Sequence, residues 1–184
     1  MSDKKTAIGN SAVDVSTLRR SATGLTLERE DLNEDPVHQF EDWFREACES
    51  GGLDPNAVSL STVDEQHRPS SRTVLLKFFD TRGFVFFTNH GSNKALQIEG
   101  NDNVALLFFW PDQGRQVQIR GRAAKIPATE TLKYFATRPR GSQIGAWVSA
   151  QSSVISSRSL LEAKFDEMKR KFVTKRSTPL ANHC

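Results

Sequence analysis

The chain has 184 residues, 37% of them hydrophobic and 26% charged, and a formal net charge of +3. That is enough for one domain with a real core, and no apolar run nears the ~20 residues of a membrane span. No N-terminal apolar segment reads as a secretory signal, and two cysteines (Cys48, Cys184) with four scattered histidines make neither a disulfide framework nor a metal site, so a cytoplasmic, metal-free protein is expected.

Residues 1–34 hold few large apolar side chains and no sustained periodicity, which predicts a mobile N-terminal arm ahead of a domain over residues 35–184. Asp35-Pro36 is a helix start, with Asp as N-cap and Pro in the first helical position. Phe40, Trp43, Phe44, Ala47 and Cys48 follow at helical spacing, so a core-facing helix with Cys48 buried is predicted, stopped by Gly51-Gly52. Strand patterns cover Ala57–Val63, residues 72–79 and residues 84–88, with a turn at Asp80-Thr-Arg-Gly83 between the last two. Ser92 reads as the N-cap of a short helix over residues 92–99. Asn103–Trp110 is nearly all apolar and reads as a strand buried on both faces. After a turn at Pro111-Asp-Gln-Gly114, residues 115–126 alternate, Val117 and Ile119 against Gln116, Gln118 and Arg120. Antiparallel strands joined by tight turns predict a small β-barrel or sandwich. Helices end the chain over Ala128–Thr137, residues 142–148 and residues 157–172, the last turning Leu160, Leu161, Phe165, Met168 and Phe172 inward.

Between Gln113 and Leu161 stand eight Lys/Arg residues and one carboxylate, Glu130, a net +7 in a chain of +3. Such a concentration attracts anions. The cations are interleaved with core-type residues such as Val117, Phe135 and Trp147, so they do not all share one solvated face. A phosphorylated ligand is the first expectation. No Walker loop, GxSxG or GxGxxG is present, which leaves P-loop and classical hydrolase chemistry without support.

Three clusters are candidates for holding such a ligand. Arg72-Thr-Val-Leu-Leu-Lys77 places a cation at each end of an apolar strand. Positions 72 and 77 fall on opposite faces of an ideal strand, so one ligand meets both only at a bulge or a strand end. The plainer reading is two solvent-facing charges. Thr88-Asn-His-Gly-Ser-Asn-Lys94 is a polar turn opening a helix, which is either an ordinary capped turn or a phosphate cradle. Tyr134 and Arg138 are four apart on one predicted helix and should meet, with Ser142 following the Pro139 break. That is either a surface pair or a phosphate clamp.

Together these segments resemble pyridoxine (pyridoxamine) 5′-phosphate oxidase. The resemblance rests on Arg72-Thr-Val-Leu-Leu-Lys77, Phe86-Phe-Thr-Asn89, Gly91-Ser-Asn-Lys94, Arg115-Gln-Val117, Tyr134-Phe135, Arg138-Pro-Arg-Gly-Ser-Gln-Ile-Gly-Ala-Trp147 and Ser149-Ala-Gln-Ser-Ser153. It implies an antiparallel FMN-binding split barrel with flanking helices, assembled as a homodimer with FMN at the subunit interface. It implies FMN contacts from Arg72, Thr73, Val74, Leu75, Leu76, Lys77, Phe87, Thr88, Lys94 and Gln116, with Gln151 and Ser152 reaching over from the partner subunit. Substrate-phosphate contacts are implied for Lys77, Tyr134, Arg138 and Ser142. The implied reaction oxidises C4′ of pyridoxamine or pyridoxine 5′-phosphate to the aldehyde, pyridoxal 5′-phosphate, with O2 as acceptor. The flavin would do the redox work and the protein would position rings and neutralise phosphates. No side chain is singled out as a catalytic acid or base.

Three departures stand against the family's pattern. Asn93 occupies the place of an arginine that usually precedes the lysine. Leu18-Arg-Arg20 resembles a substrate-covering segment, but Ser21-Ala22 replace its tyrosine. Family members continue beyond the Pro179-Leu180 region into strands with an Arg-x-His over the substrate, whereas this sequence ends Ala181-Asn-His-Cys184, so a C-terminally shortened domain with low turnover is expected. A catalytically impaired binder of FMN or pyridoxal phosphate is the alternative. A nucleic-acid module ranks third, because the basic residues lack interleaved exposed aromatics on which bases would stack.

Overall fold

The computed structural model describes residues 26–148, 151–152 and 157–172. Of the arm predicted over residues 1–34, residues 1–25 lie outside the described residues. The chain divides into two compact units, residues 1–32 and 33–184. In the first, the described residues form one 3-10 turn, Arg29–Asp31, with the Glu28 N–H donating to the Asp31 carboxylate at 3.4 Å.

The second unit opens with α1 (Pro36–Glu49). Asp35 caps it, accepting from the Val37 N–H at 2.7 Å and the His38 N–H at 3.4 Å, and Pro36 sits where no N–H is needed. Gly51, with φ +73°, turns the chain out of the helix in a conformation that a side chain disfavours. The strands are β1 (Ala57–Val63), β2 (Pro69–Asp80), β3 (Gly83–Phe86), β4 (Asn103–Trp110) and β5 (Arg115–Arg122). All pair antiparallel, in the order β3-β2-β1-β4-β5, with α2 (Asn93–Gly100) inserted between β3 and β4. Then come α3 (Ala128–Thr137), α4 (Arg140–Val148) and α5 (Arg158–Lys171). This is the antiparallel barrel-type sheet with flanking helices that the sequence predicts.

One face of the sheet is the core. Phe40 of α1 meets Phe79, Phe84, Phe108 and Trp110 from three strands at centroid distances of 4.9, 4.9, 5.0 and 5.8 Å. Val58, Leu60, Val74, Leu76 and Leu106 complete it. Each such side chain, fully buried, contributes about 1.5–3 kcal/mol. The other face is open. Leu107 and Phe109 of β4 are 37% and 64% exposed, and Leu75 of β2 is 41% exposed. The expectation that β4 is buried on both faces is therefore corrected: α1 covers one side, and among the described residues nothing covers the other.

Cys48 is exposed, not buried. At 100° per residue it stands about a quarter-turn from the stripe centred on Phe40 and Ala47. Leu160 is likewise exposed, while Leu161, Phe165, Met168 and Phe172 form the covered stripe of the last helix. Phe172 packs on Trp147 with centroids 5.6 Å apart, and the Arg140 guanidinium donates to the Phe172 carbonyl, which joins α4 to the end of α5. The +7 stretch is partly neutralised: Arg115 pairs with Glu46, Arg122 with Asp102 and Arg158 with Glu162.

Candidate functional site

The inward positions of β2 alternate as Ser70, Arg72, Val74 and Leu76, so Arg72 enters the core side near its edge. Its Nη1 donates to the Leu60 carbonyl at 3.2 Å and to Thr62 Oγ1 at 2.6 Å, and its Nη2 donates to Gln97 Oε1 at 3.2 Å. Lys94, in the first turn of α2, donates to Ser92 Oγ at 3.2 Å and to Gln151 Oε1 at 3.1 Å. Every one of these acceptors is neutral, and among the described residues neither cation has a carboxylate partner. The two cations also feel each other. Burial first, and then the Arg72 charge, hold the Lys94 ammonium below its usual pKa, and burial lowers Arg72 as well.

The start of α2 adds donors to the same place. Ser92 stands at the N-cap but makes no cap bond, because its fully buried hydroxyl donates to the Asn89 carbonyl at 2.7 Å. The Asn93 N–H donates to Ser152 Oγ at 3.1 Å. Two partly desolvated cations beside a helix N-terminus, held by neutral oxygens alone, suit a phosphate dianion. Gln151 and Ser152 make their contacts within one chain, where the resemblance has them reaching from a partner subunit.

Lys77 resolves the parity problem of its strand. The β2–β3 register shifts between Leu76 and Phe78, so Lys77 is an extra residue in β2. Beyond it, positions 77 and 79 are the more covered ones, in step with 72, 74 and 76 before it. The bulge is braced by Asn56, whose carbonyl accepts from the Leu76 N–H at 2.8 Å and whose amide donates to the Leu76 carbonyl at 3.0 Å.

The remaining expected residues divide between two regions. Val74 and Leu76 are core side chains, and both backbone polar groups of Leu76 are already bonded to Asn56. Thr73, Leu75 and Gln116 lie on the open face, where Thr73 pairs with Ser59, Ser59 with Leu107, and Leu107 with Gln118 across four strands. Phe87 follows β3 and stacks on Tyr134, and Phe78 packs edge-on to both rings at 6.3 and 5.9 Å. Thr88 Oγ1 lies 3.4 Å from Ser92 Oγ, which ties this region to the anion site.

The expected meeting of Tyr134 and Arg138 does not form. α3 ends at Thr137, and Arg138 is its extended C-cap at φ −67°, ψ 145°, as the residue before a proline prefers. Its guanidinium lies over the Phe135 ring at 5.8 Å instead. Ser142 is exposed in the first turn of α4, its N–H bonded to the Pro139 carbonyl at 2.9 Å. The buried Gln143 closes the α3–α4 junction, donating to the Arg138 carbonyl at 2.9 Å.

Thr62 and Gln97 were not singled out in the sequence. The signals were there: Thr62 shares the inward parity of Val58 and Leu60, and Gln97 is three residues from Lys94 on one helix. Among the described residues no helix is long and apolar enough to cross a membrane, and no His, Cys, Asp or Glu group forms a metal-binding cluster.

Similarities to known proteins fit this arrangement. Two solved structures share the fold. PhzG from Burkholderia lata 383, solved with tetrahydrophenazine-1-carboxylic acid, matches with a TM-score of 0.77 and 25% identity over 85% of this chain and 78% of that one. A pyridoxamine 5′-phosphate oxidase-related, FMN-binding protein from Nostoc punctiforme shares the fold, with a TM-score of 0.56 and 17% identity over 71% of this chain and 73% of that one. Among curated proteins, the pyridoxine/pyridoxamine 5′-phosphate oxidase of Rippkaea orientalis is 62% identical over 87% of this chain and 76% of its own length. That of Aliarcobacter butzleri is 58% identical over 88% of this chain and 76% of its own length. A family model described as pyridoxamine 5′-phosphate oxidase matches residues 44–172, a span running from α1 to the end of α5, and the chain belongs to that family.

Proposed function

We propose that this chain is an FMN-dependent oxidase that converts pyridoxamine or pyridoxine 5′-phosphate to pyridoxal 5′-phosphate with O2 as electron acceptor, in cytoplasmic vitamin B6 metabolism. The observation that carries the reading is the Arg72–Lys94 pair, two neighbouring cations bonded only to neutral oxygens. A flavin phosphate is the anion that family membership supplies for it. When bound, FMN provides the acceptor for the substrate's hydride and the link to O2.

The chain's own residues bind and orient. Arg72, Lys94, Gln151 and Ser152 hold the cofactor's phosphate end, while Thr73, Leu75, Gln116 and the backbone of residues 74–77 line its path along β2. Phe87 and Thr88 continue that lining toward Tyr134, which with Lys77, Arg138 and Ser142 takes the substrate phosphate. No acid–base dyad is assigned, because positioning the two rings is the protein's main contribution. The open face with Leu75, Leu107 and Phe109 supports a homodimer, since a monomer would leave this apolar surface in water.

Asn93 favours one second reading, a binder with weakened turnover, because its side chain brings no charge to the phosphate site. Purified protein distinguishes the two. The oxidase should bind FMN with quenched flavin fluorescence and release peroxide on addition of pyridoxamine 5′-phosphate. Flavin binding with no peroxide selects the binder, and absence of flavin binding removes both.

A further inference from the structure

We propose that Thr62 and Gln97 are positioning residues, which hold one edge of the Arg72 guanidinium and leave its other edge and its whole charge to an incoming phosphate. The inference rests on the reading of Arg72 as a flavin-phosphate contact. It adds two residues outside that contact set.

The bonding pattern is specific. Thr62 Oγ1 accepts from Arg72 Nη1 at 2.6 Å and donates its single hydrogen to Gln97 Oε1 at 2.6 Å. Gln97 Oε1 also accepts from Arg72 Nη2 at 3.2 Å, and its amide NH2 donates to Ser70 Oγ at 3.4 Å. Two donors converge on Oε1, so the Gln97 amide has one permitted orientation; turned over, it would set its own N–H groups against the guanidinium. Thr62 is 0% exposed, and its hydroxyl has no water to replace these partners. The triangle therefore joins three elements, β1, β2 and α2, through three hydrogen bonds inside the core edge.

The guanidinium's five hydrogens are now accounted for. Both on Nη1 go to Leu60 and Thr62, and one on Nη2 goes to Gln97. Among the described residues the Nε hydrogen and the second Nη2 hydrogen have no partner. These two lie side by side on the same edge, the geometry that grips two oxygens of one phosphate. Neutral acceptors are what this task requires. A carboxylate at position 97 would hold the guanidinium just as well but cancel the charge that the anion needs. Gln97 also sits one helical turn from Lys94, so its contact with Arg72 sets the spacing of the two cations.

The test measures binding of FMN and of riboflavin, which lacks the phosphate, by flavin fluorescence quenching, together with the thermal midpoint of the flavin-free protein. Gln97→Glu is expected to weaken FMN roughly ten- to a hundredfold, the range of one charge-assisted contact. Riboflavin affinity should stay the same and the thermal midpoint should not fall. Thr62→Val should weaken FMN in the same selective way, and Thr62→Ser, which keeps the hydroxyl, should restore it. FMN affinity unchanged in both Gln97→Glu and Thr62→Val, with the parent chain binding FMN, overturns this inference alone. Equal weakening of FMN and riboflavin also overturns it, since that marks general support of the fold. A parent chain that does not bind FMN overturns the oxidase reading, and this inference falls with it.

Discussion

The Tyr134 ring lies flat on Phe87, with centroids 3.8 Å apart and planes 13° apart. One stack thus joins α3 to the segment leaving β3, a residue proposed for the substrate phosphate to one proposed for the flavin. Phe78 closes the stack edge-on, and the Arg82–Glu130 ion pair at 3.6 Å ties the β2–β3 turn to α3 close by. An aromatic pair of this kind contributes about 0.5–1.5 kcal/mol beyond its buried area. Phe87→Leu should therefore raise KM for pyridoxamine 5′-phosphate and weaken FMN together. Tyr134→Phe keeps the stack and loses the hydroxyl, so it should raise KM alone. Steady-state kinetics and FMN titration on the two variants separate the effects, and identical behaviour would disprove the coupling.

Arg138 stands apart from Tyr134, capping α3 with its guanidinium over Phe135. If it grips the substrate phosphate, Arg138→Ala removes one partner of a desolvated pair at about 2–5 kcal/mol, or tens- to thousands-fold in affinity. Pyridoxal phosphate binding should weaken by that factor while FMN affinity holds. Normal pyridoxal phosphate binding in the variant would take Arg138 out of the clamp.

Lys94 sets a pH dependence. Burial, and then Arg72, hold its ammonium below the ordinary 10.5. The unfolded chain keeps that proton to higher pH, so in the flavin-free protein this residue's penalty is fully present below the folded pKa and is relieved as pH rises through it. Phosphate binding works in the opposite direction, because the dianion favours the charged lysine. FMN affinity should stay level above the second phosphate ionisation near ~6 and fall as pH rises through the lowered Lys94 value. Lys94→Arg should move that fall upward. Titrations across an alkaline pH series check it, and an affinity that stays flat to the ordinary lysine range would exclude Lys94 as a phosphate partner.

Phe109 projects from the open face of β4 at 64% exposure. A charge there opposes burial against a second copy, so Phe109→Glu should shift sedimentation from dimer to monomer and weaken FMN with it. A parent chain that sediments as a monomer at micromolar concentration with FMN tightly bound would show the assembly to be unnecessary.

Asp35 caps α1 through two backbone N–H groups. Asp35→Ala should cost about 1 kcal/mol of stability. A chemical denaturation midpoint reads this directly, and no shift would mean that Pro36 alone sets the helix start.

Local rules in the sequence were enough to place the elements. Ala57–Val63, Asn103–Trp110 and Ala128–Thr137 match residue for residue, because period-two alternation, apolar runs and helix-stop residues act between near neighbours. The Asp35-Pro36 start and the Gly51 stop are of the same kind. Which apolar face is covered was a different matter. The run from Val104 to Phe109 shows both faces of β4 to be apolar, yet α1 packs on one of them alone, and composition carries no record of which face a helix covers. The bulge at Lys77 likewise depends on how β3 registers against β2, so the strand's parity could be counted correctly and still put Arg72 and Lys77 on opposite faces. Arg138 left its predicted helix partner because the proline after it outweighed the helical spacing. The triangle of Thr62, Arg72 and Gln97 joins residues 10, 25 and 35 apart in the chain. Only the sheet order, with β2 beside β1 and α2 packed on β1, brings those three together, and hydrogen bonds between elements follow from that order and not from local spacing.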